Sequence, residues 1–434
     1  MKKTIISFIL ILTFATKAFS YPLDGFERTG INRLKGYYYA AFDKAARSEL
    51  LPDGARLPIN LVQLSLNNVP VAFPAYKSEL SKKLIEIIRD TAPGASLSAC
   101  DISNQIAPIC GHTNGDQPFI AGSVGKIIIA LALYHELSLI RPRIEDRIDV
   151  LKNRILTANE FVDSDTHEVP FWIQSDKEGG KLEYRPLERG DEANLWSFLD
   201  WMLSASSNGA ANMIMREIVL MKGLLNEYPP SSEREKQWFS KTSPLARATL
   251  LTEAVKGAVS ACGLSYSTFH QVSLFTAHGK ELIPSKGSIV TTDSLAQFLF
   301  KLEQGKAIDF FTSLEMKRLL YLTQGRSRYG GAPDLSESAI YFKSGSLYKC
   351  KPEKGYECSQ FNGNKLNLLN AAIIVETPVL NPKKRYLVAV STNQLRTDAA
   401  ELHKKIAKRI HQLFAAGRTA EAEAVIISGE EIRQ

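Results

Sequence analysis

The chain has 434 residues, of which 44 % are hydrophobic and 23 % charged, with 53 Lys and Arg against 46 Asp and Glu and a formal charge of +7. These fractions belong to a globular protein and exclude a disordered or fibrous chain. No basic block with interleaved aromatics accompanies the positive charge, so no nucleic acid partner is expected.

The N-terminus comes first. Lys2 and Lys3 precede an apolar run from Ile5 to Ala15, and Ala18-Phe19-Ser20 has the small-x-small form of a cleavage site. Residues 1–20 therefore read as a secretory signal peptide, too short for a permanent membrane anchor. No cysteine follows the cut, so no lipid anchor is expected, and no later stretch reads as the ~18 apolar residues a transmembrane helix needs. The mature protein then starts near Tyr21, without stable membrane insertion, and loss of Lys2, Lys3 and Lys17 lowers the formal charge to about +4.

Residues 21–75 carry Pro22, Pro52, Pro58, Pro70 and Pro74 and read as an irregular N-terminal extension wrapping the main domain. Leucine and isoleucine at helical spacing predict a helix over 77–89, ending before Pro93-Gly94. Strands follow over 95–102 and 106–112, with a turn at Asn114-Gly115. Residues 125–139 are apolar almost all round, which predicts a buried central helix. Residues 141–190 are mixed and charged; there His167 to Trp172 either rim a cleft or form a surface loop anchored by Trp172. Helices are expected over 195–205, 212–221, 249–263 and 293–303, with a polar surface excursion over 222–245. Strands over 339–347, 369–376 and 386–392 and a helix over 398–414 close the pattern. Helices interrupting a sheet built from both ends of the chain predict an α+β, or mixed α/β, architecture.

Export makes disulfides permissible. Cys100 with Cys110 and Cys350 with Cys358 would each close a short loop across a hairpin, leaving Cys262 as a buried thiol. A metal site is disfavoured, because no C-x-x-C pair occurs and only His112 lies near a cysteine.

Three segments carry candidate chemistry. Ser123-Val124-Gly125-Lys126 opens the buried helix, and a serine three residues before a lysine shares its helix face. A serine hydroxyl needs a base, and a buried lysine that has lost its preference for the charged form can be one. Alone the pattern is weak: roughly one or two S-x-x-K matches are expected by chance in such a chain, and Ser346 to Lys349 is a second, on a predicted strand. Ser206-Ser207-Asn208 supplies a hydroxyl and an amide in a turn between helices, where an ordinary helix cap would look the same. Lys343-Ser344-Gly345-Ser346 supplies a cation, a hydroxyl and a glycine on a strand, where a charged edge would look the same.

The order S-x-x-K, S-x-N, K-S-G resembles that of the serine β-lactamases and penicillin-binding proteins. Ser206 to Asn212 is similar to the class A S-D-N-T-A-A-N segment with Ser207 in place of the aspartate, and Thr291-Thr292 before a helix ending near Gly305 fits the same pattern. The resemblance covers about residues 76–415. It implies an antiparallel sheet flanked by helices with an all-helical subdomain, and a catalytic domain over 76–418 with insertions at 141–190 and 222–245 and a tail over 419–434. It implies that Ser123 is acylated and that Lys126 assists its deprotonation. Ser206 would relay a proton to the leaving nitrogen and Asn208 would position the substrate amide. Lys343 and Ser344 would hold a carboxylate, Gly345 would let the substrate approach, and the backbone N–H groups of Ser123 and Ser346 would bind the oxyanion. No cofactor is implied, and the partner would be a β-lactam or a peptidoglycan-derived D-alanyl peptide. Class A enzymes carry an E-x-x-L-N element whose glutamate activates the deacylating water. None occurs between Asn212 and Lys343, where Glu281 is the nearest candidate by order. Slow turnover of β-lactams follows. A non-catalytic wall-binding protein on the same fold is the competing reading; oligomeric state is not legible.

Overall fold

A computed structural model describes residues 51–173, 181–323 and 326–416. The proposed signal peptide, most of the N-terminal extension and the 419–434 tail lie outside them.

A five-stranded antiparallel sheet forms the backbone of the domain. Its strands are β1 (Ser96–Asp101), β2 (Ile109–Thr113), β9 (Ala339–Lys349), β10 (Leu366–Thr377) and β11 (Lys384–Asn393), in the order β2-β1-β11-β10-β9. Both faces of the sheet are buried. On β10 and β11, Ala371, Ile373, Val375, Val388 and Val390 point one way and Ala372, Ile374, Leu387 and Ala389 the other. The first face meets α1 (Ser78–Thr91) through Leu84, Ile87 and Ile88, and α11 (Ala399–Ala416) through Leu402, Ile406 and Ile410. Their i, i+3, i+4 spacing makes each helix one-sided. Disulfides join Cys100 to Cys110, directly opposite on β1 and β2, and Cys350 to Cys358; Cys262 is free and buried.

The second face packs on α9 (Thr292–Glu303), which opens with a capping box: the Thr291 hydroxyl accepts from Ser294 N–H and the Ser294 hydroxyl from Thr291 N–H. Beyond lies the helical part, centred on α2 (Lys126–Ile140), whose residues from Ile127 to Leu133 have no exposed surface. The 19-residue stretch Gly122–Ile140 is long and apolar enough to cross a membrane, contrary to the expectation from sequence, but is 78 % buried inside the protein. Around α2 stand α4 (Leu195–Leu203), α5 (Asn208–Leu224) and α7 (Pro244–Ala261).

The charged 141–190 stretch has structure of its own: α3 (Ile144–Asn153), β3 (Ile155–Thr157) and the hairpin of β4 (Glu168–Ile173) with β5 (Lys181–Pro186). β3 pairs with β6 (Glu192–Asn194). The expected surface excursion over 222–245 comprises the end of α5, the helix α6 (Ser232–Lys241) and the first residues of α7. Ser231 and Ser243 cap α6 and α7, and Trp238 packs beside Gly223. Later come β7 (Phe269–Gln271), α8 (Ala277–Leu282), β8 (Ser288–Val290) and α10 (Phe310–Tyr321), all four unforeseen.

Residues 51–76 run as an extended strap with buried Leu57, Ile59, Val62, Leu64 and Leu66. A buried ionic cluster clamps it. Lys317 Nζ donates to Gln63 O at 2.7 Å and pairs with Glu303 at 2.6 Å and Glu376 at 2.8 Å, while Ser65 N–H and hydroxyl reach those same two carboxylates.

Candidate active site

Ser123 sits in the 3-10 turn Gly122–Gly125 that leads into α2. The turn is pinned from the sheet: Asn370 of β10 donates its amide to Ile120 O at 2.9 Å. Gly122 has φ +54°, a left-handed conformation in which a glycine carries no side-chain clash. Gly345 of β9 lies so close that a Cβ there would meet Ser123 N at 2.6 Å and Val124 N at 2.8 Å. The strand and the nucleophile turn can approach only because residue 345 is glycine.

Lys126, the first residue of α2, is fully buried. Its Nζ lies 3.2 Å from Ser123 Oγ, 2.6 Å from Ser206 O and 2.7 Å from Asn208 Oδ1. Burial brings the Lys126 ammonium down to about 7, against the opposing pull of the Asp165 carboxylate. A neutral amine has two N–H groups and one lone pair. Ser206 O and Asn208 Oδ1 take the two N–H groups, which leaves the lone pair for the Ser123 hydroxyl proton.

Ser206 precedes α5 with φ +62°, a conformation costing a non-glycine residue about 1–3 kcal/mol. The bond from Lys126 to its carbonyl holds it there, and Lys343 Nζ of β9 donates to its hydroxyl at 2.8 Å. Ser206 Oγ thus stands between two amines, 3.4 Å from Lys126 Nζ on the other side. Burial, then the charges of Lys126 and Arg328, hold Lys343 well below the usual lysine range.

Ser207 caps α5 by accepting from Ala210 N–H at 2.9 Å. The carboxylate at this helix start comes from Asp165 in the 141–190 stretch. Its Oδ2 accepts from the Ser207 hydroxyl and from Gly209 N–H, both at 2.7 Å. Burial pushes the Asp165 carboxyl up, but bonds from His167, Gly209 and Ser207 outweigh it and hold it at about 2. Sequence reasoning missed Asp165, because nothing in the composition of its segment singles it out.

The sequence motifs therefore converge: Ser123, Lys126, Ser206, Asn208, Lys343, Ser344 and Gly345 meet where α2, α5 and β9 abut, with Ser346 next along β9. The model of the β-lactamase enzyme family matches residues 79–414. The chain belongs to the β-lactamase enzyme family.

No curated protein matches this β-lactamase-family chain significantly. Among solved structures it is similar to PBP-A at 14 % identity, over 79 % of this chain and 99 % of that one, with a TM-score of 0.47. A β-lactamase from Sphaerobacter thermophilus is 15 % identical over 78 % and 97 %, with a TM-score of 0.46. One from Chitinophaga pinensis is 14 % identical over 79 % and 100 %, with a TM-score of 0.47.

Lys126 also meets a feature the sequence did not betray. The Phe275 ring lies over Lys126 Nζ with its centroid at 4.7 Å. Asn212 of α5 fixes that loop: its amide oxygen accepts from Phe275 N–H at 2.9 Å and its nitrogen donates to Phe161 O at 3.0 Å. Glu281 is the candidate deacylating base. It lies on α8 with its side chain 75 % exposed and bonded to His278 at 3.1 Å. Arg328 is a third unforeseen residue; its guanidinium donates to the Ser344 hydroxyl and packs over Phe361.

Proposed function

We propose that the protein is an exported active-site serine enzyme that forms an acyl-enzyme on Ser123 with a β-lactam or a D-alanyl peptide. The observation that carries this is the partner count at Lys126: a buried amine, brought down to about 7, with both N–H groups engaged and the Ser123 hydroxyl at 3.2 Å. Lys126 takes the Ser123 proton as Oγ attacks the carbonyl. The developing oxyanion is met by the N–H groups of Ser123 and Ser346. Ser206, between Lys126 and Lys343, hands a proton to the leaving nitrogen. Lys343, Ser344 and Arg328 gather positive charge and hydroxyl for a substrate carboxylate.

The second half of the cycle is slow in this reading. Hydrolysis needs a carboxylate and a water beside the ester, and the phenyl ring of Phe275 occupies one flank of Lys126. Export is supported by the N-terminal leader and by the two disulfides.

Incubation with benzylpenicillin, followed by intact mass and peptide mapping, tests the reading. A single penicilloyl adduct on Ser123, lost in Ser123→Ala, is expected. An unlabelled wild type beside a labelled control penicillin-binding enzyme contradicts it.

A further inference from the structure

The strongest unassigned feature is a cavity of about 230 Å³ that opens beside Ser206. Its lining includes Ser206, Lys343, Ser344 and Arg328, and Glu168 and Tyr184 of the β4–β5 hairpin. Ser123 lies outside that lining, while the hydroxyl that serves the leaving nitrogen lies inside it. In the proposed cycle Ser206 serves the leaving nitrogen, which places the departing part of the substrate in this cavity. At this volume, below the ~300 Å³ of a drug-sized site, it accommodates a single residue.

The lining carries both signs. Arg328 donates to the Ser344 hydroxyl, while Lys343 donates to the Ser344 carbonyl at 3.0 Å and to the Ser206 hydroxyl at 2.8 Å, and this group of donors suits a carboxylate. The hairpin adds to the same lining the exposed carboxylate of Glu168 and the phenol of Tyr184, 45 % exposed. A departing group with only a carboxylate satisfies the donors alone. One that also carries a side-chain ammonium satisfies both signs, by ion pairing with Glu168 and by contact of the cation with the Tyr184 ring. A departing group with a second carboxylate meets repulsion there.

We propose that Glu168 and Tyr184 select a leaving amino acid that bears a free carboxylate and a side-chain ammonium, so that the preferred substrate is an acyl-D-alanyl peptide ending in a basic D-amino acid. This rests on acylation at Ser123. In the step, the amide bond to the departing residue breaks as the ester to Ser123 Oγ forms. The proton leaves Ser123 through Lys126, and Ser206 supplies the one that completes the departing amine. No oxidant or other co-reactant is needed.

The test compares three peptides ending in D-alanyl-D-lysine, D-alanyl-D-alanine and D-alanyl-D-glutamate, reading release of the C-terminal amino acid as kcat/KM. Wild type should release D-lysine about fivefold faster than D-alanine, the effect of one exposed ion pair, and D-glutamate more slowly than either. Glu168→Gln should lower the D-lysine to D-glutamate ratio by about fivefold or more, and Glu168→Lys should invert it. Because the ratio is read on one preparation, it is insensitive to the folded fraction. An unchanged ratio in Glu168→Gln overturns the proposal, as does absence of any release by a wild type that benzylpenicillin labels on Ser123. If benzylpenicillin does not label Ser123 either, the acyl-enzyme reading itself fails and takes the proposal with it.

Discussion

At the scale of single residues, the proposed acylation takes its pH dependence from Lys126. Only the neutral amine can take the Ser123 proton, and burial brings its titration to about 7. The acylation rate by benzylpenicillin should rise about tenfold per pH unit below 7 and level off above it. A profile flat from pH 5.5 to 8.5 would deny Lys126 that role. In the proposed cycle Phe275 hinders the other half-reaction. Phe275→Glu places a carboxylate beside the Lys126 amine, and the acyl-enzyme of this variant should hydrolyse faster than that of wild type when the decay of the adduct is followed by mass. An equal or longer adduct lifetime would show that the ring is not what limits hydrolysis.

At the scale of elements, the start of α5 joins stability to the site. Asp165 accepts from the Ser207 hydroxyl and from Gly209 N–H, and so fixes the turn that carries Ser206 and Asn208. Asp165→Ala should destabilise the fold by about 1–2 kcal/mol in chemical denaturation, as for loss of a buried cap. The Asp165 carboxyl titrates at about 2 instead of 3.8, so its stabilisation is complete above pH 3.8 and is lost as pH falls toward 2. The variant should lack that part of the acid dependence. Its charge also raises the Lys126 titration, so the acylation profile of Asp165→Ala should move to lower pH. An unmoved profile would show that Asp165 acts on the fold alone.

Element by element, legibility followed hydrophobic pattern. The buried α2, the terminal strands and α11 declare themselves through unbroken or one-sided apolar runs. α6 does not: of its ten residues only Trp238 is buried, and capping by Ser231 and pairing of Glu235 with Arg154 and Arg216 maintain it. α10 stayed hidden because Glu315 and Lys317 are buried within it, which breaks the apolar stripe. Within the site, residues carried by a motif could be read directly. Asp165, Phe275 and Arg328 could not, since each reaches the site through a tertiary contact with no sequence spacing behind it.

At the scale of the whole molecule, the strap over 51–76 is joined to the domain through a lysine with no exposed surface. Lys317 links Gln63, Glu303 and Glu376, from the strap, α9 and β10. Lys317→Met leaves two buried carboxylates without their cation and should cost about 3–5 kcal/mol, read as a lower denaturation midpoint. A loss below about 1 kcal/mol would mean that the strap is held by its leucines alone.

Acylation at Ser123 with a hindered second step is the centre of the account, and one stopped-flow trace with nitrocefin reads both halves. The account predicts a burst of about one equivalent of opened ring per Ser123, absent in Ser123→Ala, followed by slow steady turnover. Rapid linear turnover with no burst, or a burst that survives in Ser123→Ala, would contradict it.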